Sequence, residues 1–411
     1  MNAQYRRGAC PGLSVPMQTG DGFLIRITPS GRTILLDTFS SLCSAAQTNG
    51  NGIVEITSRG SIQVRGLTPS SASAFAADVA PLDLGKDGVP VSVNPLSGLD
   101  PDELIDASAI ADDLRRSLAS APWTQNLGAK VSVVIDGGGS LHLDAPMADV
   151  RLRAAHSDNG VCFEVLLGGD ARNARRLGAI ALSDAVETVS RLLATLAENA
   201  PKAHMKEAID RLGVGPFAVG SRSRMDVLSI LRTDSEPLGL HDLRDGCVAL
   251  GVGLPFGHSD ADALRRLIAV AREAGASGLR TSPGRALLIL GLTPDAASTL
   301  ADTIEQLGLI ADPGDPRRRV VACAGAPICS SGQIPARQLA PEIAQVAEHL
   351  KSGIIHISGC AKGCAHHGPA ALTVVGRDGQ CDLLLNGTPS GTVPVEALPR
   401  RVAELVKAGH V

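Results

Sequence analysis

The apolar positions of this chain switch period several times, and they do so twice in the same order. From Phe23 the pattern reads strand, helix, strand, strand, helix, and the same succession restarts at Val248, about 225 residues later. Gly66-Leu67-Thr68-Pro69 falls in register with Gly291-Leu292-Thr293-Pro294. In the second copy the 3.6-residue period predicts a helix from Ser259 to Ala274, with Ser259 as its cap. Glycine-containing turns at Asn49-Gly50-Asn51-Gly52 and from Ala274 to Gly278 end the two helices. Antiparallel strands are then expected around Ser58-Arg59-Gly60 and Pro283-Gly284-Arg285. A weaker echo links residues 130–146 with 372–389, both read as hairpins turning at Asp-Gly.

The expected fold is therefore α+β and internally duplicated, in the order A-B-A′-B′. The segments are 1–80, 81–220, 235–311 and 312–411, with linkers near Pro81 to Gly88, Gly213 to Gly220 and Asp312 to Pro316. A cleft between duplicated halves is a common place for a large ligand.

Composition narrows the function. The 44% hydrophobic content of 411 residues is ample for several cores. MNAQYRRGACPGL has two arginines but no apolar stretch after them, and no run approaches bilayer length, so a soluble, cytoplasmic protein is expected. A net charge of −4, with one Trp, one Tyr and six Phe, argues against nucleic-acid binding. Arginine outnumbers lysine 31 to 7, which fits recognition of carboxylates and equally fits high-GC coding bias.

The sharpest chemical signal is cysteine spacing. Cys323 and Cys329 in ACAGAPIC, then Cys360 and Cys364 in GCAKGC, form two close pairs separated by a helical segment. Structural zinc favours tight C-x2-C pairs; the wider C-x5-C and C-x3-C spacing, flanked by Gly325, Pro327, Gly332, Gly359 and Gly363, favours an iron–sulfur cubane, with zinc or unliganded thiols as the alternatives. Cys10, Cys43, Cys162, Cys247 and Cys381 lack such partners and read as small buried hydrophobes. On the strand SRGSIQVRG, Arg59, Gln63 and Arg65 recur with period two and share a face, a candidate anion-binding surface or simply the exposed side of a sheet. Arg26 and Lys130 are read as strand residues of the duplicated sheets.

With these cysteines, the duplication and the segment Thr57 to Gly66 (TSRGSIQVRG), the chain resembles the sirohaem-dependent nitrite and sulfite reductases over nearly its whole length. It is most similar to the branch that makes precorrin-3B in aerobic cobalamin synthesis. The residues are Cys10-Pro11-Gly12-Leu13, Pro16 to Gly22, Asn94-Pro95-Leu96-Ser97-Gly98-Leu99-Asp100, Asp149 to Ala154 and Ser358-Gly359-Cys360-Ala361-Lys362-Gly363-Cys364. The resemblance implies a [4Fe-4S] cluster on the four cysteines and basic residues, Arg59 foremost, around the carboxylates of a tetrapyrrole. It implies an oxygen-dependent monooxygenase that takes precorrin-3A, dioxygen and NADH-derived electrons from an external donor, and hydroxylates a meso carbon with lactone formation. A mononuclear non-haem iron also belongs to such enzymes, but no two-histidine, one-carboxylate spacing is recognisable here. The alternative is a sirohaem-dependent nitrite or sulfite reductase, in which the macrocycle is a bound cofactor.

The chain departs from the reductase pattern before Asn94, where Pro90-Val91-Ser92-Val93 supplies no cation. Arg151 and Arg153 are further candidates for carboxylate contacts. Arg285 reads as a turn residue, and His356, His366, His367 and Lys362 divide between cluster neighbours and ordinary core or surface residues. The glycines of Asp136 to Gly139 and of Gly20-Asp21-Gly22 read as turns, so no dinucleotide domain is expected.

Overall fold

A computed structural model describes residues 11–85, 87–158, 160–218, 232–350, 352–366 and 368–411. Cys10 and His367, and the whole segment between Ala218 and Arg232, lie outside them. Among the described residues there are four sheets.

The first sheet joins β1 (Met17–Thr19), β2 (Gly22–Ile27), β3 (Ile53–Ile56) and β4 (Ile62–Leu67), backed by α1 (Leu36–Asn49) and α2 (Pro69–Val79). The second is built from β5 (Val91–Val93), β6 (Val133–Asp136), β7 (Ala148–Ser157), β8 (Gly160–Gly169) and β9 (Arg175–Ile180), with α3 (Ser108–Ser120), α4 (Ala185–Asn199) and α5 (Met205–Leu212). The third contains β10 (Gly239–Asp242), β11 (Val248–Gly253), β13 (Gly278–Ser282) and β14 (Ala286–Leu292), with α6 (Ala261–Glu273) and α7 (Pro294–Gln306); the short β12 (His258–Asp260) leaves it to join the first sheet. The fourth runs β15 (Val320–Ala322), β16 (Ile355–Ser358), β17 (Leu372–Arg377), β18 (Gln380–Leu385) and β19 (Thr388–Pro394), with α8 (Ala336–Ala347) and α9 (Leu398–Lys407).

The duplication extends to register. Arg26 pairs with Gln63 and Glu55 with Gln63 in the first sheet; Gly251 pairs with Leu288 and Arg280 with Leu288 in the third, each offset by 225. Both copies shift register at the same step, between Phe23/Ile25 and between Val248/Leu250. The copies also exchange edges: Ser259 pairs with Val54, and Ile34 bridges Leu279. One continuous core results, in which Phe39, Leu42, Ile56, Val64, Leu264, Leu267 and Ile289 are all buried.

Three expectations change at this level. Ser259 lies in β12 and the cap of α6 is Asp260, whose carboxylate accepts from Ala263 N at 2.7 Å. The edge exchange keeps the chain extended for one residue more than helical periodicity reveals. Asp260→Ala is expected to cost about 1 kcal/mol in chemical denaturation. Secondly, Asp136-Gly137 is not a hairpin turn, because β6 runs parallel to β7; the B-half counterpart of the Asp378-Gly379 hairpin is the β7–β8 turn. The Asp136 carboxylate accepts from Gly138 N and Leu143 N at 2.9 and 3.0 Å, which holds a crossover loop. Thirdly, Lys130 is an exposed turn residue with φ 69° rather than a strand residue.

Candidate functional site

The first sheet has one apolar face and one polar face. Ile25, Ile27, Val54, Ile56, Ile62 and Val64 pack on the helices. On the other face the pairs Arg26–Gln63, Gln63–Glu55 and Glu55–His258 form a row across four strands, since directly opposed residues of antiparallel strands share a face. With its amide oriented to suit both neighbours, Gln63 accepts from Arg26 Nε at 2.8 Å and donates to Glu55 at 2.9 Å. Arg337, at the start of α8, donates to the same Glu55 carboxylate at 2.5 Å.

Arg65 lies two residues beyond Gln63 on this face. Its guanidinium donates to both oxygens of Asp21 at 3.2 Å and to the Ile328 carbonyl at 3.3 Å, so it ties the β1–β2 turn to the loop that carries Cys329. Gly20 N donates to the same carbonyl at 2.9 Å, and a Cβ at Gly20 would lie 2.2 Å from Pro327 O. Arg59 occupies the β3–β4 turn instead of the strand and is exposed, with no side-chain partner among the described residues. Lys130 precedes β6, at the end of that strand away from the Gly137 loop.

The cysteines follow the ends of two adjacent parallel strands, Cys323 after β15 and Cys360 just after β16. Cys323 Sγ accepts from Gly359 N at 3.0 Å. Burial raises the Cys323 thiol pKa, while the backbone N–H groups of Gly359 and Gly325 oppose that shift. Gly325, Gly332 and Gly359 meet behind it: a Cβ on Gly359 would lie 2.9 Å from Gly325 Cα, 3.3 Å from Cys323 Sγ and 3.4 Å from Gly332 Cα. Cys329 is half-buried and Cys364 exposed. A tetrahedral zinc with Zn–S bonds of about 2.3 Å requires sulfurs about 3.8 Å apart, yet no three of these four approach within 4.8 Å of one another. A wider thiolate set with backbone N–H donors in a side-chain-free cradle fits an iron–sulfur cluster. Lys362 donates to Ser331 Oγ at 3.1 Å and so links the two cysteine loops, and His366 stands edge-on to the buried His356 at 5.8 Å.

The duplicate of this site is sealed. Where the first sheet presents Arg26, Gln63, Glu55 and Arg65, the third presents Gly251, Leu288, Arg280 and Leu290. Leu288 and Leu290 are buried against Leu96, Leu141, Leu243 and Ala249; burying each leucine contributes about 1.5–3 kcal/mol. Arg280 donates to Thr33 at 3.2 Å and to the carbonyls of Pro95 and Ser97 at 3.1 and 2.8 Å. Asn94 occupies the place of Cys323 at the end of the first parallel strand. Its Oδ1 accepts from Gly137 N at 2.6 Å, as Cys323 Sγ accepts from Gly359 N. The Asn94-to-Asp100 motif thus closes one half, and the cysteines furnish the other.

Behind Asn94 lies a buried ion network. Arg232 donates to Asp136 at 2.5 Å and to Asp144 at 3.0 Å, and Arg153 Nε is 3.6 Å from Asp144. Arg151 is fully buried and donates to the carbonyls of Leu143 and Pro146. Asp136, His142 and Asp144 are close enough to hold a metal ion, but the Arg232 guanidinium already occupies both carboxylates and Arg153 flanks Asp144, so this set does not fit a divalent cation. Arg151 and Arg153 therefore serve the fold of the half that lacks the four paired cysteines.

Glu55, His258 and Arg337 escaped sequence reasoning. Arg337 is an ordinary helix arginine by pattern, and His258 reaches the site only through the edge exchange. Position-by-position comparison of the two copies carries the missing signal, because Gln63, Arg65 and His258 stand where the other copy has Leu288, Leu290 and Thr33. His258 follows Phe256 and Gly257, at φ 56° and 83°. Left-handed backbone at a bulky residue costs about 1–3 kcal/mol and recurs at functional sites. Burial, with Arg337 nearby, lowers the His258 pKa to about 4.

Comparison with known proteins accords with this geometry. The nitrite/sulfite reductase ferredoxin-like half domain matches residues 15–82 and 241–307, and the nitrite and sulphite reductase 4Fe-4S domain matches 85–227. A precorrin-3B synthase of Sinorhizobium sp is 35% identical over 396 residues, 95% of this chain and 85% of that protein. The ferredoxin–nitrite reductase of Synechococcus elongatus is 25% identical over 376 residues, 81% of this chain and 73% of the relative. The NirA protein of Mycobacterium tuberculosis has the same fold, with a TM-score of 0.77 at 19% identity, covering 94% of this chain and 80% of its own. The chain belongs to the nitrite and sulfite reductase family of oxidoreductases, on its precorrin-3B synthase branch.

Proposed function

We propose that this chain converts precorrin-3A to precorrin-3B as an oxygen-dependent monooxygenase. One atom of dioxygen is placed on a meso carbon, a neighbouring acetate closes the lactone, and the second atom leaves as water after taking up two electrons and two protons. The observation that carries the reading is the 35% identity to a precorrin-3B synthase over 95% of this chain. The one-sided site supports it, since a single polar, arginine-lined face abuts the cysteine loops.

Cys323, Cys329, Cys360 and Cys364 hold the [4Fe-4S] cluster in this reading. When bound, the cluster supplies electrons singly. Arg59, exposed beside the site, receives a macrocycle carboxylate; Arg26 and Gln63 orient the row beneath it, and Arg65 positions the Cys329 loop. Lys130, at the far end of β6, is left out of this set. The described residues offer no open two-histidine, one-carboxylate set, and no role here depends on a mononuclear iron. Electrons come from a separate, NADH-derived donor in the cytoplasm, a reducing compartment that suits free thiolates; no helix among the described residues is long and apolar enough to cross a membrane.

Anaerobic spectra of the purified protein, with iron and sulfide analysis, before and after precorrin-3A, test the assignment. A cluster spectrum without sirohaem bands that changes on substrate addition is expected. Intense sirohaem bands in the protein as isolated would move it to nitrite or sulfite reduction. Arg59→Ala is expected to weaken macrocycle binding about tenfold; unchanged affinity removes Arg59 from the site.

A further inference from the structure

The arginines around the site differ in what satisfies them. Arg65 is paired with Asp21, Arg337 with Glu55, and Arg26 with the Gln63 amide. Arg285, on the β13–β14 turn, forms no ion pair among the described residues, and the acceptor of its guanidinium there is the Ala365 carbonyl, at 2.8 Å from Nη2. Ala365 directly follows Cys364. Glu55 is the acid whose charge reaches Arg285, and its carboxylate is already occupied by Arg337 and Gln63. The Arg285 pKa is lowered, because burial outweighs that attraction.

A partly buried cation without a counter-ion is costly unless an anion completes it. The backbone is shaped to hold this one. Arg285 itself has φ 66°, and a Cβ on Gly257 would lie 2.7 Å from Arg285 Cδ, so glycine is needed there for the side chain to lie along the Phe256–His258 turn. In the first copy the same turn position is Gly60, and Arg59 stands one residue earlier. Gly60 packs on Ser282 and Pro283, and Gly284 N donates to Ser58 O at 3.1 Å. The two repeat turns therefore bring Arg59 and Arg285 to one junction beside the cysteine loop.

We infer that Arg285 is a second anion-binding residue of the site and takes a carboxylate of the tetrapyrrole at the edge nearest the Cys364 loop. The inference rests on the functional reading above. Two arginines from pseudo-equivalent turns then hold two carboxylates of one macrocycle, which fixes its in-plane rotation as a single contact cannot.

Uroporphyrin, a metal-free tetrapyrrole with eight carboxylates, serves as a stable probe of the cluster-loaded protein. Arg285→Gln is expected to weaken its binding about ten- to a hundredfold, with Arg285→Lys between. Iron and sulfide content, read in the same preparations, separates this from loosening of the Ala365 loop. If Arg285→Gln loses the cluster, protection of the wild-type protein decides: saturating uroporphyrin should shield Arg285 from phenylglyoxal, mapped by mass spectrometry. Unchanged affinity with an intact cluster, modification undiminished by the macrocycle, or shielding by acetate but not by the macrocycle each overturns the inference. If Arg59→Ala weakens binding and Arg285→Gln does not, the Arg285 assignment fails alone. A wild-type protein that binds neither uroporphyrin nor precorrin-3A overturns the functional reading and this inference with it.

Discussion

Cys323→Ser protein is expected to be isolated without its iron–sulfur cluster and without activity. The Cys323 sulfur receives the Gly359 N–H at 3.0 Å, and Gly325, Gly332 and Gly359 close the cradle behind it. Serine keeps the shape but is smaller, and it offers a hard, poorly acidic oxygen in place of a soft thiolate. Iron and sulfide analysis with the visible spectrum measures the loss, and Cys360→Ser is expected to behave alike. A full iron complement and full turnover in either variant contradict the ligand assignment.

Asp136→Ala is expected to be the most damaging single change outside the cluster, costing about 3–5 kcal/mol. Asp136 is fully buried and faces Arg232, Asn94 and the N–H groups of Gly138 and Leu143. Its removal leaves the Arg232 charge short of a partner and frees the crossover loop. Burial opposes ionisation of this carboxyl, but Arg232, Asn94 and Gly138 more than offset it, so its pKa in the folded protein is lowered. A carboxyl with a depressed folded pKa stabilises the protein above the unfolded value of about 3.9 and loses that contribution as pH falls through the folded one. Wild-type stability should therefore fall on acidification in that range, and the acid-dependent part should be smaller in Asp136→Ala. Denaturation midpoints across pH measure both; equal midpoints for the two proteins at neutral pH contradict this role.

The repeat was legible because its strands keep register at an offset of 225, down to a shared irregularity after Phe23 and Val248. Gln63 and Arg65 were placed correctly on one face by period two, since both lie within β4. Arg59 fell outside the strand because Gly60 turns the chain with φ 78° before β4 begins at Ile62. Lys130 misled for the opposite reason: apolar residues follow it directly, but the strand starts only at Val133. The edge exchange hid His258, since pairing between strands about 200 residues apart, such as Ser259 with Val54, leaves no local pattern. The asymmetry between halves was written in the sequence all along, as Leu288 and Leu290 opposite Gln63 and Arg65, and it becomes interpretable once the register is fixed.

The central claim, that one polar site in this duplicated body oxygenates a tetrapyrrole, is tested most directly by turnover of precorrin-3A under 18O2 with an electron donor. The account predicts a product carrying one labelled oxygen atom on the ring and one labelled water per turnover. A ring without label, or a protein that leaves precorrin-3A untouched while reducing nitrite or sulfite, would contradict it.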